Sequence, residues 1–292
     1  MAKHDFLQRF LLEQAGVHGA FVRLDKTWRD VRAQSDYPKP LASLLGRTLA
    51  ASALLSGSIK FRGRLSIQFR SEGALRLLFA ECTDGGGLRG LARWDEGSEA
   101  VPQLGEDAIL AVTIDQPDRD LRQQALIACE GNDLSGAFER YFEQSEQLPT
   151  RMLLVEHGGR CAGLLLQPIA DGGGISLGDP DAWNRVGYLL ATAMTDEMVN
   201  LSAEELLRRL FHEEGVRVFE PRPLAFACSC SRGRVETMLR TLGREECEAT
   251  LAAEGQVAVT CEFCNHTYRL DRVDVAGLFA ATVPVAGPST AQ

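Results

Sequence analysis

The sequence predicts an α+β protein in three parts. A mixed α/β N-terminal core domain spans residues 1–175, a helical connector 176–224 and a small C-terminal four-cysteine domain 225–283. Three observations carry this. A chain of 292 residues exceeds what one hydrophobic core usually organises. Its first half alternates strand-like runs with stretches of helical periodicity. Near the C-terminus two close cysteine pairs, Cys228-Ser-Cys230 and Cys261-Glu-Phe-Cys264, bracket thirty residues.

In chain order, residues 5–15 and 17–25 read as strands or a short helix–strand mix, and Val17, Phe21 and Val22 favour strand for the second. Residues 27–33 look helical, broken by Asp36-Tyr37-Pro38. From Pro40 to Ser56 the positions Leu41, Leu44, Leu45, Leu49, Ser52 and Leu55 follow helical spacing, with the small Ser52 permitting close packing. Strands are expected over 64–70 and 75–82, joined by Ser71-Glu72-Gly73, and again over 108–115 and 125–130. A helix over 135–144 and strands over 152–156 and 161–167 complete the core. Cys82, Cys129 and Cys161 lie in apolar runs, where a free cysteine acts as a small core residue.

The connector carries two helix-start signals. Asp179 precedes Pro180 and a face of Trp183, Val186, Leu190, Ala193, Met194 and Glu197. Ser202-Ala-Glu-Glu205 is a capping box ahead of Leu206, Leu207, Leu210 and Phe211, with Gly215 suited to the helix end. Pro221 and Pro223 mark entry into the last domain. There Val235, Met238, Leu239 and Leu242 share a helix closed by Gly243, Cys247 and Leu251 a second, and Val257 and Val259 lead by a strand into Cys261. Residues 284–292 read as a disordered tail.

Composition excludes several classes. Hydrophobic residues make up 45% and charged residues 24%, as in an ordinary globular protein, and the net charge is -9. That charge argues against nucleic acid as a partner, and no apolar run approaches a membrane span. The N-terminus does not resemble a secretory signal, so a cytoplasmic protein is expected, whose eight cysteines stay reduced. Triple glycines at 85–87 and 172–174 match neither a dinucleotide fingerprint nor a P-loop and read as flexible surface loops. His4, His18, His157, His212 and His266 fall in no catalytic or ligand spacing, and no catalytic residue can be nominated.

The paired cysteines point to metal. Two short-range pairs supply four thiolates to one tetrahedral zinc at little loop-closure cost, so Cys228, Cys230, Cys261 and Cys264 are the expected ligands of one zinc ion per reduced chain. In an extended segment residues i and i+2 share a face, which lets the tight CxC pair reach one ion. Both pairs are also close enough for a disulfide within the pair. The same four residues can be a metal cage or two disulfides, but not both at once.

With CSC at 228–230, CEFC at 261–264, the approach RLFHEEGVRVFEPRP, SDYP at 35–38 and SEQLPTR at 145–151, the chain resembles the redox-regulated 33-kilodalton heat-shock chaperone family of bacteria over nearly its whole length. The resemblance implies a cytoplasmic, ATP-independent holdase and no enzyme. It implies an off state that is reduced and zinc-bound, and an on state with Cys228–Cys230 and Cys261–Cys264 disulfides and zinc released. It implies unfolding of the last domain and connector, binding of unfolding client proteins, a homodimer when oxidised, and handover of clients to ATP-dependent foldases. Cys247, between the pairs, is an extra thiol relative to that pattern.

Two rival readings are weaker. A zinc ribbon that binds nucleic acid needs a basic stripe, yet residues 222–292 hold seven basic against eight acidic residues. A zinc hydrolase needs an open coordination position, which four thiolates close. His266 could replace one thiolate, but the complete set of four makes a solvent-facing histidine the better reading.

Overall fold

The structure is a computed structural model and describes residues 5–97, 104–105, 107–129, 133–169, 179 and 181–280. The chain divides into two compact units, Met1–Cys228 and Ser229–Gln292. The first contains, in order, β1 (Phe6–Leu12), β2 (Val17–Leu24), α1 (Lys26–Arg32), α2 (Lys39–Ser58), β3 (Arg64–Arg70), β4 (Leu75–Thr83), β5 (Gly87–Trp94), β6 (Ile109–Gln116), β7 (Leu121–Ala128) and α3 (Leu134–Tyr141). It continues with β8 (Arg151–His157), β9 (Arg160–Pro168), α4 (Ala182–Ala191), α5 (Thr195–Asn200), α6 (Ala203–Phe211), β10 (Val216–Val218), β11 (Arg222–Pro223) and β12 (Ala225–Phe226). The second contains α7 (Arg232–Leu242), α8 (Arg244–Glu254), β13 (Val257–Thr260), β14 (Thr267–Leu270) and α9 (Arg272–Phe279). The fold class is α+β, as expected.

The first unit is built on two sheets. One runs β10-β1-β2-β9-β8, with β11 also paired to β1; the other runs β12-β5-β4-β3-β6-β7. Helix α2 packs against strands of both. Its face of Leu41, Leu44, Leu45, Leu49 and Leu55 is buried, and so is Ser52, whose hydroxyl donates to the Leu49 carbonyl at 2.8 Å. A helix enclosed by sheets is apolar on nearly every side, which explains the dense leucine and alanine pattern.

The first sheet is covered on both faces. Leu7, Ala20, Val22, Leu24, Cys161 and Leu165 face the α2 cluster. Their alternates, Phe6, Phe10, Val17, Phe21, Leu164 and Leu166, face a second cluster built with Val186, Leu190, Met198, Leu206, Leu207, Leu210 and Phe211 of α4–α6. Successive side chains point to opposite faces, so a strand buried on both sides reads as an unbroken apolar run such as CAGLLLQ. The connector helices therefore lie on the core sheet, within the first unit.

Several local expectations change. β5 was not foreseen, and β7 begins at Leu121 rather than Ala125. The expected helix over 135–144 is α-helical only to Tyr141 and then widens into a π turn over Phe142–Glu146. Met194 does not join the buried face; it sits at the N-terminal boundary of α5, 60% exposed. Helix α4 starts after Asp181, while the Asp179 carboxylate accepts from the Asp181 amide and pairs with Arg185. The Ser202–Glu205 capping box is present. The 172–174 glycines, His4 and the 284–292 tail lie outside the described residues.

Candidate metal centre

The four cysteines gather at a point set by two local motifs. Cys228 and Cys230 lie in the irregular stretch that follows β12, and Ser231 ends it by accepting from the Arg234 amide to cap α7. Arg234 Nη1 donates to the Ser229 carbonyl at 2.9 Å and to its hydroxyl at 2.6 Å, bracing the turn between the two cysteines. Cys261 and Cys264 form the tip of the β13–β14 hairpin, where Thr260 faces Thr267. Inside that tip the Asn265 amide donates to the Cys261 carbonyl at 2.8 Å and the Cys261 amide to the His266 carbonyl at 3.0 Å. Asn265 takes a left-handed φ of 53°, a conformation asparagine tolerates better than most side chains.

One ligand sulfur from each of Cys228, Cys230, Cys261 and Cys264 lies within 4.8 Å of the other three. A tetrahedral ion with metal–sulfur bonds of about 2.3 Å holds its sulfurs roughly 3.8 Å apart. The cluster fits one ion, and four sulfurs this close could hold a metal. The Cys230 and Cys264 sulfurs are 3.4 Å apart, so closeness within the cluster does not select the partners of a disulfide.

Two residues at the cluster were not foreseen. The Tyr268 hydroxyl donates to the Cys230 sulfur at 3.2 Å. That bond favours the neutral phenol, and with burial and the nearby sulfurs it pushes the Tyr268 pKa up to about 12. Nothing local in the sequence announces a sulfur as the partner of Tyr268. Arg234 was the other, bound to the carbonyl and hydroxyl of Ser229 rather than to a cysteine. His266 is exposed and stands edge-on to Tyr268 at 4.5 Å.

The remaining thiols are elsewhere. Cys247 is 1% exposed in the second unit's core with Val235, Leu239, Leu251, Val257, Leu270, Val275 and Leu278, and burial raises its pKa. Cys82, Cys129 and Cys161 are buried in the first unit, and burial raises each of their pKa values too. A buried thiol held neutral is a poor nucleophile. Among the described helices none is long and apolar enough to cross a membrane.

Comparison with known proteins agrees with this architecture. The family model described as Hsp33 protein matches residues 5–271. The 33 kDa chaperonin of Nitrosococcus oceani is 45% identical over 293 residues, covering 99% of each chain. The 33 kDa chaperonin of Pseudomonas aeruginosa is 43% identical over 290 residues, covering 96% of each. The crystal structure of the 33 kDa chaperonin from Thermotoga maritima shares the fold, with a TM-score of 0.76 at 17% identity over 94% of this chain and 97% of that one. A profile match spanning core, connector and cysteine cluster, with full-length relatives above two-fifths identity, places this chain in the Hsp33 family.

Proposed function

We propose that the chain is a redox-regulated, ATP-independent holdase of the cytoplasm and not an enzyme, silent while reduced and zinc-bound. The observation that carries this reading is the gathering of Cys228, Cys230, Cys261 and Cys264 sulfurs within 4.8 Å, in a chain whose relatives are named chaperonins. An all-sulfur donor set suits zinc, which when bound keeps the four sulfurs deprotonated and ties two distant turns together.

The chemistry of activation belongs to the four thiolates. A thiolate sulfur attacks one oxygen of hydrogen peroxide, the O–O bond breaks, and a sulfenic acid and hydroxide form. The second cysteine of the pair then displaces hydroxide from that sulfur, and the S–S bond closes. Each disulfide delivers two electrons to one peroxide, so two peroxides convert four thiolates to two disulfides and leave Zn2+ without ligands. We assign the bonds to Cys228–Cys230 and Cys261–Cys264, because closing either short loop costs less entropy than crossing thirty residues.

The consequence follows from magnitude. A structural zinc contributes on the order of 10–16 kcal/mol of folding free energy, against about 5–15 kcal/mol for a whole domain. The switch domain, residues 225–283 in this reading, has a small core of eight buried apolar side chains among its described residues. Two short-loop disulfides replace little of the loss, since a cross-link stabilises more as the loop lengthens. The domain unfolds, the connector loosens, and apolar surface becomes available to unfolding clients. Dimerisation of the oxidised form and transfer of clients to ATP-dependent foldases complete the cycle.

The deciding experiment measures zinc per chain, disulfide connectivity by mass spectrometry and suppression of client aggregation, before and after peroxide and without ATP. One zinc lost, the two short-loop disulfides formed and suppression gained together support the reading. Strong suppression by the reduced zinc form, or a dominant Cys247 bridge, overturns it.

A further inference from the structure

We propose that residues 216–227 are an edge guard whose release turns strands β1 and β5 into strand-addition sites for extended apolar segments of unfolding polypeptides. This rests on the reading above that zinc loss unfolds the switch domain, and it names where clients then bind.

One short segment occupies the outer edge of both sheets. β10 pairs antiparallel with β1, Val216 facing Leu12 and Val218 facing Phe10. β11 continues along β1, with Pro223 opposite Phe6. β12 then crosses to the other sheet and pairs parallel with β5, Ala225 opposite Gly87 and Phe226 opposite Leu88. Backbone donors from the segment fill the edge acceptors: Phe219 to Arg9 at 3.0 Å, Leu224 to Asp5 at 3.1 Å, Ala225 to Gly86 at 3.1 Å and Ala227 to Leu88 at 2.9 Å. An uncovered edge is a template for pairing with any extended chain, which natural proteins cover or blunt.

The glycine run at 85–87 is the seat of this segment rather than an open loop. Gly86 has φ +85°, and a Cβ there would stand 2.6 Å from the Pro223 carbonyl oxygen. A Cβ on Gly87 would stand 2.9 Å from the Ala227 methyl. Only glycines let the guard lie this close to the sheet.

The guard is held at its ends. Its strands are three, two and two residues long, too short to persist alone. On one side it follows α6, docked through buried Phe211; on the other, Ala227 is bonded directly to Cys228. Dissolving the cysteine cluster frees the second end. What the guard supplies defines its replacement: an extended backbone with apolar side chains, here Val216, Val218, Phe219, Leu224 and Phe226. Unfolding proteins offer such segments, and strand addition reads them through the main chain without demanding a sequence.

The test uses full-length protein and a synthetic peptide copy of residues 216–227, read by amide hydrogen exchange. In the reduced zinc form, 6–12 and 87–94 should exchange slowly and ignore the peptide. After oxidation under mild warming their edge amides should exchange at least tenfold faster and slow again when peptide is added, and excess peptide should reduce client holding. Gly87→Val should unseat the guard without touching a cysteine, giving faster edge exchange and measurable holding with zinc retained. If Gly87→Val disturbs β5 itself, Ala225→Pro removes the guard's own hydrogen bond to the Gly86 carbonyl. An oxidised protein that holds clients while both edges stay as protected as in the reduced form overturns the inference and spares the holdase reading. An oxidised protein that holds nothing overturns that reading, and the inferred client site with it.

Discussion

Replacing Phe211 by Ala separates the connector from the cysteine chemistry. Phe211 is fully buried at the end of α6 and stacks on Phe10 of β1 with ring centroids 6.2 Å apart and planes inclined by 22°. Truncating a buried phenylalanine costs about 3–5 kcal/mol, of which the aromatic pair accounts for roughly 0.5–1.5. At about 1.4 kcal/mol per decade, the docking equilibrium of α6 moves by roughly two to three and a half powers of ten. Helices α4, α5 and α6 have ten, six and nine residues. All are shorter than the roughly 12–15 residues at which an isolated helix becomes even marginal, so undocking means unfolding. The reduced variant should keep its zinc, be cut by trypsin at Arg208 and Arg209, and hold clients without oxidant. Leu54→Ala, in the separate cluster around α2, should lower overall stability without opening those sites. If Phe211→Ala opens both sites, keeps its zinc and still holds nothing until oxidised, the connector is not the switch.

Cys261→Ser should lose zinc at concentrations where the natural chain is saturated, whereas Cys247→Ser should retain it and lose only a little stability; full zinc retention in Cys261→Ser removes the ligand assignment. Tyr268→Phe keeps the ring beside His266 and deletes the hydrogen bond to the Cys230 sulfur. With that donor gone the Cys230 thiolate is less stabilised, so peroxide-driven zinc release should quicken, and an unchanged rate assigns Tyr268 to packing alone. The pKa of Glu197 is lowered from 4.5 chiefly by its hydrogen bond from Arg209. A depressed folded-state value means this stabilisation is complete above about pH 4.5 and is lost as pH falls through the folded value. Binding of an apolar dye to the reduced protein should therefore rise only on acidification below that point, and a rise between pH 6 and 8 would assign connector docking to another group.

Sequence reasoning reached the parts whose cause is local. Leu41, Leu44, Leu45, Leu49 and Leu55 announce α2 because a helix repeats every 3.6 residues, and Ser202 with Glu205 announces α6 because a capping box is four consecutive residues. The cysteine cluster was legible for the same reason, each pair being a short-range motif. What escaped depends on partners distant in sequence. GLRGLARW was not read as β5 because two glycines and two arginines weaken the strand pattern that pairing with β4 enforces. β12 is two residues long and exists only because Gly86 and Gly87 make room for it. Asp179 looked like a cap because it precedes Pro180, yet its carboxylate is taken by Arg185, which also grips Glu214 at 2.7 Å. α9 carries its own capping box at Asp271 and Asp274, a local signal that was present and went unread.

The order of events follows from where restraints meet the chain. Residues 212–227 are fixed at one end by the α4–α6 face on the first sheet and at the other by Cys228. In the proposed switch oxidant acts on the second restraint alone, because burial holds Cys82, Cys129, Cys161 and Cys247 as neutral thiols. Heat acts on the first, since an apolar face of short helices is lost with the conformational entropy its release recovers. Freeing one end leaves a segment still tethered at the other, so its strands re-pair at little loop-closure cost. Freeing both removes that advantage, and the two destabilisations add in free energy and multiply in population. Oxidant at low temperature should thus expel zinc while leaving β10 and β11 largely paired, and warmth without oxidant should loosen α4–α6 while Cys228 holds β12 in place. The two stresses together expose both sheet edges, the condition under which unfolding proteins are most abundant.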